Sequence, residues 1–368
     1  MILSPFGYIM IAGRALYLYL FLISLLVCVF SFFQQRRLII DRTCGYLILY
    51  YITCILSALL SSDFDISLDA FREQTLVIVP FFLFSITYRK QESNIFHIAV
   101  YSASILIIVA MIFLQRELAL IWNTRVEVTI GNTQINSNYL SFLLVFPFAL
   151  CFSMVIRESS KISTIVRIFC LAICLVVLIA SLWTGSRTCL IIIAINASVQ
   201  FIIQYRKNKK AIVSSFIIIA ISFIIINYSS RFLPSYIIGR LQLSTFLDSN
   251  GRVEIWRNTL ATFFSNIRYI LIGSGFGTTG LYVGVTAHNT YLQVLLENGI
   301  VGFTVYVIFT IFMFRRILKS HDLLLISLWF SIFIASLLMA GQACRFYWHD
   351  LMFIYVLSEC EIDEGVLV

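Results

Sequence analysis

Long apolar runs recur along the whole of this chain, and they constrain its fold more than any other feature. A helix needs about 20 residues to cross the hydrocarbon core of a bilayer. Runs near that length lie at 15–33, 44–60, 75–88, 95–114, 138–156, 168–183, 188–204, 211–227, 290–314, 323–341 and 349–358. A segment in lipid must satisfy its backbone hydrogen bonds internally, so each run predicts a helix. We therefore predict an all-α, polytopic transmembrane helical bundle of about 11 spans (10–12).

The composition excludes a water-soluble domain of this size. Apolar residues make up 60% of the chain and charged residues only 12%, and the mean hydropathy is +0.96. We interpret residues 1–368 as a single integral membrane domain. Residues 1–13 are a re-entrant piece, an interfacial piece or a truncated further span. No basic segment precedes the first apolar run, so we expect no cleavable signal peptide.

The cysteines favour packing over disulfide or metal chemistry. There are nine of them, with no CxxC pair at ligand spacing. Five lie inside apolar runs, at Cys28, Cys54, Cys151, Cys170 and Cys174. We expect them to act as small apolar side chains in helix packing.

The basic residues predict the orientation, because short cytoplasmic loops collect Lys and Arg. Fifteen of the 26 basic residues fall in five alternate short loops: Arg36, Arg37, Arg42, Arg89, Lys90, Arg157, Lys161, Arg167, Arg206, Lys207, Lys209, Lys210, Arg315, Arg316 and Lys319. We place these loops in the cytoplasm. The other eleven are all arginine: Arg14, Arg72, Arg116, Arg125, Arg187, Arg231, Arg240, Arg252, Arg257, Arg268 and Arg345. Arginine presents a planar fork of hydrogen-bond donors that matches phosphate oxygens. The use of arginine alone in these loops therefore favours phosphate binding outside the cytoplasm over a random choice between lysine and arginine.

One long loop on the extracytoplasmic side, 228–289, exceeds what a helix connection requires and indicates function. Residues 251–264 within it predict an amphipathic helix on the membrane surface, with Val253, Trp256, Leu260 and Phe264 on its apolar face. Five glycines follow between 273 and 284, a pattern that lets backbone approach a ligand closely. The GSGFG string has no strand–turn–helix context, so a dinucleotide site is rejected.

The segment AHNTYLQVLLENGIVGF at 287–303 completes a recognisable pattern. GxG, then His288-Asn289-x-Tyr291-Leu292, then Glu297-x-Gly299-x-x-Gly302 resembles the signature of the O-antigen ligase and O-antigen polymerase superfamily. Further features fit that family: Thr184-Gly185-Ser186-Arg187 at a helix turn, Gly251-Arg252 with Trp256, and Asn136 and Asn138 ahead of the fifth run. The likeness extends from about 130 to 310.

The resemblance implies a multi-pass glycosyltransferase of the bacterial cell inner membrane, active on the periplasmic face in lipopolysaccharide biosynthesis. Its substrates are glycans linked to a polyprenyl diphosphate such as undecaprenyl diphosphate, and no metal, nucleotide sugar or other cofactor is required. Membrane lipids, a chain-length regulator and a flippase are the implied partners, and nucleic acid is not.

Against that chemistry, His288 is the candidate general base, because an imidazole near neutrality can withdraw the proton of a sugar hydroxyl. Arg187 and Arg252 are candidates for binding the diphosphate, and Gly275, Asn289, Tyr291 and Glu297 form the supporting motif. Each assignment has a structural alternative: His288 as a helix cap, Arg187 as a contact to lipid phosphate, Arg252 as an anchor of the amphipathic helix. Glu297 lies within a predicted span and is expected to face the bundle.

The function stays open among several classes at this point. A polymerase is favoured by the short chain and modest loop, and a ligase that transfers polysaccharide to lipid A core uses the same chemistry. A transporter of polysaccharide or lipid-linked oligosaccharide is disfavoured, because almost every span is charge-free and no repeat is visible. A purely structural subunit would not need the glycine-rich, arginine-bearing loop.

Overall fold

The structure, a computed structural model, describes residues 6, 9–11, 14–35, 40–87, 94–130, 133–156, 162–205, 231–242 and 251–358. In chain order, its elements are β1 (Met10–Ile11), β2 (Arg14–Ala15), α1 (Leu16–Gln35), α2 (Arg42–Leu59), α3 (Phe64–Thr87), α4 (Asn94–Leu114), α5 (Arg116–Ile121), β3 (Val128–Ile130), β4 (Thr133–Ile135), α6 (Leu140–Ile156), α7 (Thr164–Trp183), α8 (Arg187–Tyr205), α9 (Ser235–Leu241), α10 (Arg252–Phe264), α11 (Ile267–Ile272), α12 (Thr279–Val283), α13 (Thr290–Lys319), α14 (Leu323–Leu338), a 3₁₀ turn (Gly341–Ala343) and α15 (Arg345–Leu357). Over these described residues the chain is all-α apart from two short antiparallel hairpins, β1–β2 and β3–β4.

The chain forms two compact units. Unit 1 comprises residues 1–9, 92–248 and 322–335, and unit 2 comprises residues 10–91, 249–321 and 336–368.

Unit 1 is built around α6. Helices α4, α7 and α8 all pack against it, and nearly every described side chain of α6 is buried. A helix that is apolar on all sides belongs at the centre of a bundle, and this one has no charged residue. Ser163 caps the start of α7 by accepting a hydrogen bond from the Val166 N–H.

Unit 2 is built around α13. Helix α2 packs along it, as do α10 and α11 from the long loop, while α1 and α15 pack on α3. Asp41 caps α2 by accepting from the Cys44 N–H at 2.8 Å. This unit carries the glycine-rich segment and most of the predicted motif.

An all-α membrane protein is confirmed. Among the described residues, five helices are long and apolar enough to cross a membrane: Arg42–Leu59, Phe96–Ile121, Thr164–Trp183, Arg187–Gln204 and Thr290–Lys319. Three shorter apolar helices are Leu16–Val27, Leu140–Ile156 and Leu323–Leu338. Ten of the eleven predicted runs coincide with helices, and the run 211–227 lies outside the described residues. The count of 11 spans stays a prediction.

Large apolar side chains are exposed on individual helices. Phe30 of α1 is 71% exposed, and Ile165 of α7 is 80% exposed. In water, large apolar patches of this kind mark interaction or aggregation sites. On a membrane helix they face the acyl chains that serve as its solvent.

Helix α3 is longer than the apolar run at 75–88 that predicted it. Helix α3 begins at Phe64, not at 75, because its first turns carry charged residues that fit a helix but do not register as apolar. In the stretch 1–13, Met10–Ile11 pairs with Arg14–Ala15 as a hairpin. In the described part of the chain seven cysteines are buried thiols, as expected of packing residues: Cys44, Cys54, Cys151, Cys170, Cys174, Cys189 and Cys344. The side chain of Cys28 lies outside the described part.

A helix is present where the sequence predicted one, as α10. It begins after Gly251, whose φ of 76° is left-handed. Val253 and Phe264 are exposed, as an apolar face without a protein neighbour requires. Trp256 is partly covered, because its indole N–H donates to the Ala287 carbonyl at 3.0 Å. Contact of α10 with a membrane surface, and the position of the whole 228–289 loop, stay predictions.

Candidate functional site

Helix α13 is broken at Gly299, within the predicted motif. Gly299 has φ 65° and ψ −174°, far from helical values. A Cβ at this position would lie 2.5 Å from backbone atoms of Leu271 and Ile272. The break therefore needs both left-handed backbone and close approach of α11, and only glycine satisfies both.

The glycine-rich segment 273–277 supplies donors to carbonyls on the N-terminal side of this break. The Ser274 N–H donates to the Leu296 carbonyl at 2.8 Å, and the Gly275 N–H donates to the Glu297 carbonyl at 3.4 Å. A helix break leaves carbonyls without their usual partners, and buried carbonyls are nearly always paired. The segment thus completes the hydrogen bonding of α13.

The glycines of this segment lie against other residues of the protein. The sequence pattern had instead indicated close approach of a ligand. A Cβ on Gly273 would lie 2.0 Å from the Glu297 carbonyl oxygen. A Cβ on Gly275 would lie 2.2 Å from the Ser61 hydroxyl. Gly275 therefore has a packing role, which the sequence alone did not indicate.

Glu297 is a buried carboxylate inside α13, only 1% exposed. Its Oε1 accepts from the Thr279 hydroxyl at 2.7 Å, the Thr279 N–H at 3.3 Å and the Gln293 amide at 3.0 Å. Its Oε2 accepts from the Gln342 amide at 3.0 Å. As predicted, Glu297 faces the bundle, and these donors offset the cost of burying its charge.

A cavity of about 270 Å³ adjoins this carboxylate within unit 2. It is lined by Ala70, Glu73, Gln74, Val77, Phe276, Gly277, Gly280, Thr286, Gln293, Glu297, Gln342, Arg345 and Trp348. Arg345 pairs with Glu73 at 2.9 Å and lies 4.4 Å from the ring centre of Tyr17. The lining thus combines aromatic and aliphatic side chains with amides and charged groups.

His288 lies in the short connection between α12 and α13. Its backbone is left-handed, with φ 49°, which is uncommon for a residue with a Cβ. The next residue, Asn289, caps α13 by accepting from the N–H groups of Tyr291 and Leu292 at 2.9 and 3.1 Å. The helix-capping role considered for His288 therefore belongs to Asn289.

Burial of the imidazole and the positive charge of Arg252 lower the pKa of His288 from its usual value of about 6.5. The ring is half-buried. His288 is therefore neutral at physiological pH and has a nitrogen lone pair that can accept a proton. The structure brings His288 and Arg252 together, although they are far apart in sequence.

Tyr291 packs inside unit 2. Its ring meets the Tyr306 ring edge to face, with centroids 5.6 Å apart. The Tyr306 and Tyr347 hydroxyls share a hydrogen bond in turn. Tyr291 thus belongs to an aromatic cluster beneath the N-terminus of α13.

Arg187 lies in unit 1, as the first residue of α8. It follows a buried turn in which the Ser186 hydroxyl donates to the Asn138 side-chain oxygen at 2.9 Å. Arg240 of α9 donates to the Gly185 carbonyl at 3.3 Å. The predicted TGSR and Asn138 features therefore meet at one place, with a second arginine beside them.

Sequence reasoning missed the partners of Glu297. Gln293 lies one helical turn before it, so helical spacing was an available signal. Thr279 and Gln342 lie in other segments, and no local pattern pairs them with Glu297. Among the described residues, no group of three His, Cys, Asp or Glu side chains is arranged as metal ligands.

Fold and site together define a multi-pass, all-α membrane protein with a buried carboxylate network around Glu297 and a half-buried His288 that is influenced by the charge of Arg252. The family model described as O-antigen ligase matches residues 172–307, which include Arg187, Arg252, Gly275, His288, Asn289, Tyr291 and Glu297. The predicted likeness to the O-antigen ligase and polymerase superfamily is confirmed over this segment. The comparison with curated proteins found no match.

Proposed function

We propose that the protein is a glycosyltransferase of the bacterial inner membrane that works on the periplasmic face. It transfers a glycan chain from a polyprenyl diphosphate to a sugar hydroxyl of a lipid-linked repeat unit, as an O-antigen polymerase does. The observation that carries this proposal is the half-buried His288 beside Arg252, inside the segment that matches the O-antigen ligase family.

The reaction needs a base because a sugar hydroxyl is a poor nucleophile. The hydroxyl oxygen attacks the anomeric carbon of the donor glycan while His288 takes the hydroxyl proton. A neutral imidazole is the form that can do this, and the lowered pKa of His288 keeps it neutral.

The bond between the anomeric carbon and the diphosphate oxygen breaks, and polyprenyl diphosphate leaves with the bonding electrons. Negative charge grows on that oxygen, so cations placed there stabilise the transition state more than the ground state. Arg252 and Arg187 take this role, with the guanidinium fork bridging phosphate oxygens.

The polymerase is preferred over the ligase because the 228–289 loop is of modest length. The ligase, which transfers finished polysaccharide to lipid A core, would use the same base and the same cations. Product analysis distinguishes the two, as described below.

Transport of a lipid-linked oligosaccharide is the second candidate, and one observation favours it. Helix α13 is interrupted at Gly299 and carries the buried Glu297, and broken helices with buried charges are common at transporter sites. The family match supports glycan transfer instead.

Replacing His288 tests the proposal. We expect His288→Ala and His288→Asn to slow glycan transfer about 10²–10⁴-fold, while insertion and binding of lipid-linked donor persist. Asn tolerates the left-handed backbone, so His288→Asn separates loss of the base from loss of local structure. The measurement is elongation of a radiolabelled lipid-linked repeat unit by the purified protein.

His321→Asn is the matched control, because His321 is exposed and also left-handed, with φ 52°. It should transfer glycan at the normal rate. In cells, a polymerase without its base leaves one repeat unit on lipid A core, whereas a ligase leaves long chains on the polyprenyl carrier. Normal chains made by both His288 variants at normal expression would reject the catalytic role, and transfer-free flipping of the donor would favour transport.

A further inference from the structure

The turn that joins α7 to α8 in unit 1 is buried up to the point where Arg187 begins α8. Thr184, Gly185 and Ser186 are buried, whereas Arg187 is partly exposed. Gly185 makes the turn with a left-handed φ of 57°. The residues that pack over this turn therefore set the backbone from which the Arg187 side chain extends.

Helix α9 packs against the turn. Ile237, in the middle of α9, is 0% exposed, and a Cβ on Gly185 would lie 3.4 Å from its side chain. Arg240, in the last turn of α9, donates from Nε to the Gly185 carbonyl at 3.3 Å. That carbonyl lies just beyond the C-terminus of α7, where the helix dipole favours a cation.

Contacts at both ends hold α9 in place. The helix has only seven residues, which is too short to be stable alone. At its start, the Asn123 side-chain oxygen accepts from the Ser235 hydroxyl at 3.0 Å and from the Tyr236 N–H at 3.1 Å. At its end, Arg240 binds Gly185. Helix α9 is therefore fixed across the turn by its first and last residues.

The guanidinium of Arg240 is itself held by its own helix. Tyr236 lies four residues earlier and so on the same helix face. Arg240 donates from Nη1 to the Tyr236 hydroxyl at 3.3 Å, and its guanidinium carbon lies 5.7 Å from the centre of the Tyr236 ring. The hydrogen bond from Arg240 to the Gly185 carbonyl is thus preorganised.

We propose that Arg240 is a positioning residue for Arg187. By holding the Gly185 carbonyl, it fixes the turn from which α8 begins and keeps the Arg187 guanidinium where it bridges phosphate oxygens. Displacement of a functional group by about 1 Å can cost roughly 10²-fold in activity, so a contact of this kind matters. The role of Arg187 as a phosphate ligand rests on the proposed function.

A double-mutant cycle on ligand binding tests the positioning role. The measurement is the dissociation constant of radiolabelled undecaprenyl diphosphate for the purified full-length protein in detergent. Arg240→Gln should weaken binding about tenfold, and Arg187→Gln by at least as much. If Arg240 acts through Arg187, Arg240→Gln should weaken binding less than about twofold in the Arg187→Gln background.

A second variant reaches the same turn from the other end of α9. Asn123→Gly removes the side chain that holds the start of α9, and glycine accepts the left-handed φ of 48° found at Asn123. It should weaken binding only while Arg187 is present. Arg257→Gln is the matched control, because the Arg257 side chain is 71% exposed on α10. It should leave the dissociation constant unchanged in both backgrounds.

Equal weakening by Arg240→Gln in the wild-type and Arg187→Gln backgrounds would indicate an independent contact or a general loss of stability, and would overturn the positioning role. The same holds if Arg240→Gln has no effect, if Arg240→Gln and Asn123→Gly both unfold by circular dichroism, or if the wild type does not bind undecaprenyl diphosphate. Coupled binding without glycan transfer would reject the proposed function and leave the positioning role standing. Glycan transfer with additive effects would do the reverse.

Discussion

At the scale of single residues, the site depends on how the surroundings of one imidazole alter its chemistry. His288 is held in a left-handed conformation that costs of order 1–3 kcal/mol for a residue with a side chain. Trp256 holds the preceding carbonyl and Asn289 caps the following helix, so the neighbours on both sides are fixed. The result is a ring whose pKa is lowered by burial and by Arg252.

The pH dependence of glycan transfer should reflect that lowered pKa. A general base works only when deprotonated, so activity should fall as the pH drops through a midpoint below about 6.5. Arg252→Gln removes the charge that disfavours the imidazolium and should move the midpoint upward. Arg252→Lys keeps the charge and should leave the midpoint near that of the wild type. The measurement is kcat/KM for lipid-linked donor against pH.

The lysine variant should nevertheless be slow. Losing one arm of a forked contact removes a charge-assisted hydrogen bond of roughly 1.5–3 kcal/mol, which corresponds to about tenfold or more in rate. Arg187→Lys should lose activity for the same reason without moving the midpoint. Full activity in both lysine variants would reduce the arginines to a diffuse electrostatic role.

At the scale of elements, the site depends on the break in α13 and on the segment that fills it. The motif glycines are needed because backbones meet here, α11 against Gly299 and the carbonyl of Glu297 against Gly273. Those contacts hold the Glu297 carboxylate toward Thr279, Gln293 and Gln342. The break therefore positions a buried charge without leaving its carbonyls unpaired.

Alanine at either of these two glycines should destabilise the protein. Gly273→Ala and Gly299→Ala each place a Cβ within 2.5 Å of backbone atoms, at φ values of 92° and 65°. We expect a loss of more than about 1 kcal/mol for each. Thermal unfolding in detergent, followed by circular dichroism, is the measurement.

Gly280→Ala is the comparison for this series, because its Cβ meets no atom within 4 Å and its backbone is not left-handed. It should leave the unfolding temperature unchanged or raise it slightly, since alanine favours the helix. Equal unfolding temperatures for all three variants would show that the contacts at the break do not stabilise the protein.

At the scale of the whole molecule, function depends on which side of the membrane each loop occupies. All six lysines fall in loops that the basic-residue pattern places in the cytoplasm, whereas the candidate phosphate ligands are arginines of the other set. Arg187 and the loop with Arg252 and His288 must share one face for the proposed transfer to occur.

Reporter fusions test that arrangement. A fusion after Arg206 should behave as cytoplasmic, and a fusion after Ser249 should behave as periplasmic. Both positions lie outside the described residues. Alkaline phosphatase activity at Ser249 alone is the expected result, and activity at Arg206 alone would overturn both the topology and the mechanism.

Much of the architecture was predictable from the sequence because its causes are local. Apolar runs of spanning length specify helices wherever lipid is the solvent, and ten of the eleven predicted runs coincide with described helices. Helix α10 followed from its 3.6-residue period. The contact of its Trp256 with Ala287 did not follow from the sequence, because periodicity reports the face on which a residue lies but not which neighbour covers it.

The sequence by itself determined that this chain is a membrane protein with a family motif around His288. Hydropathy, charge and motif spacing are all properties of the linear amino-acid sequence. Only the tertiary structure decided that Gln342 reaches Glu297 across 45 positions and that Arg345 reaches Glu73 across 272. Such pairs form because a buried polar or charged group needs a partner, and folding brings one to it from a distant part of the chain. No local sequence pattern indicates which residue becomes that partner.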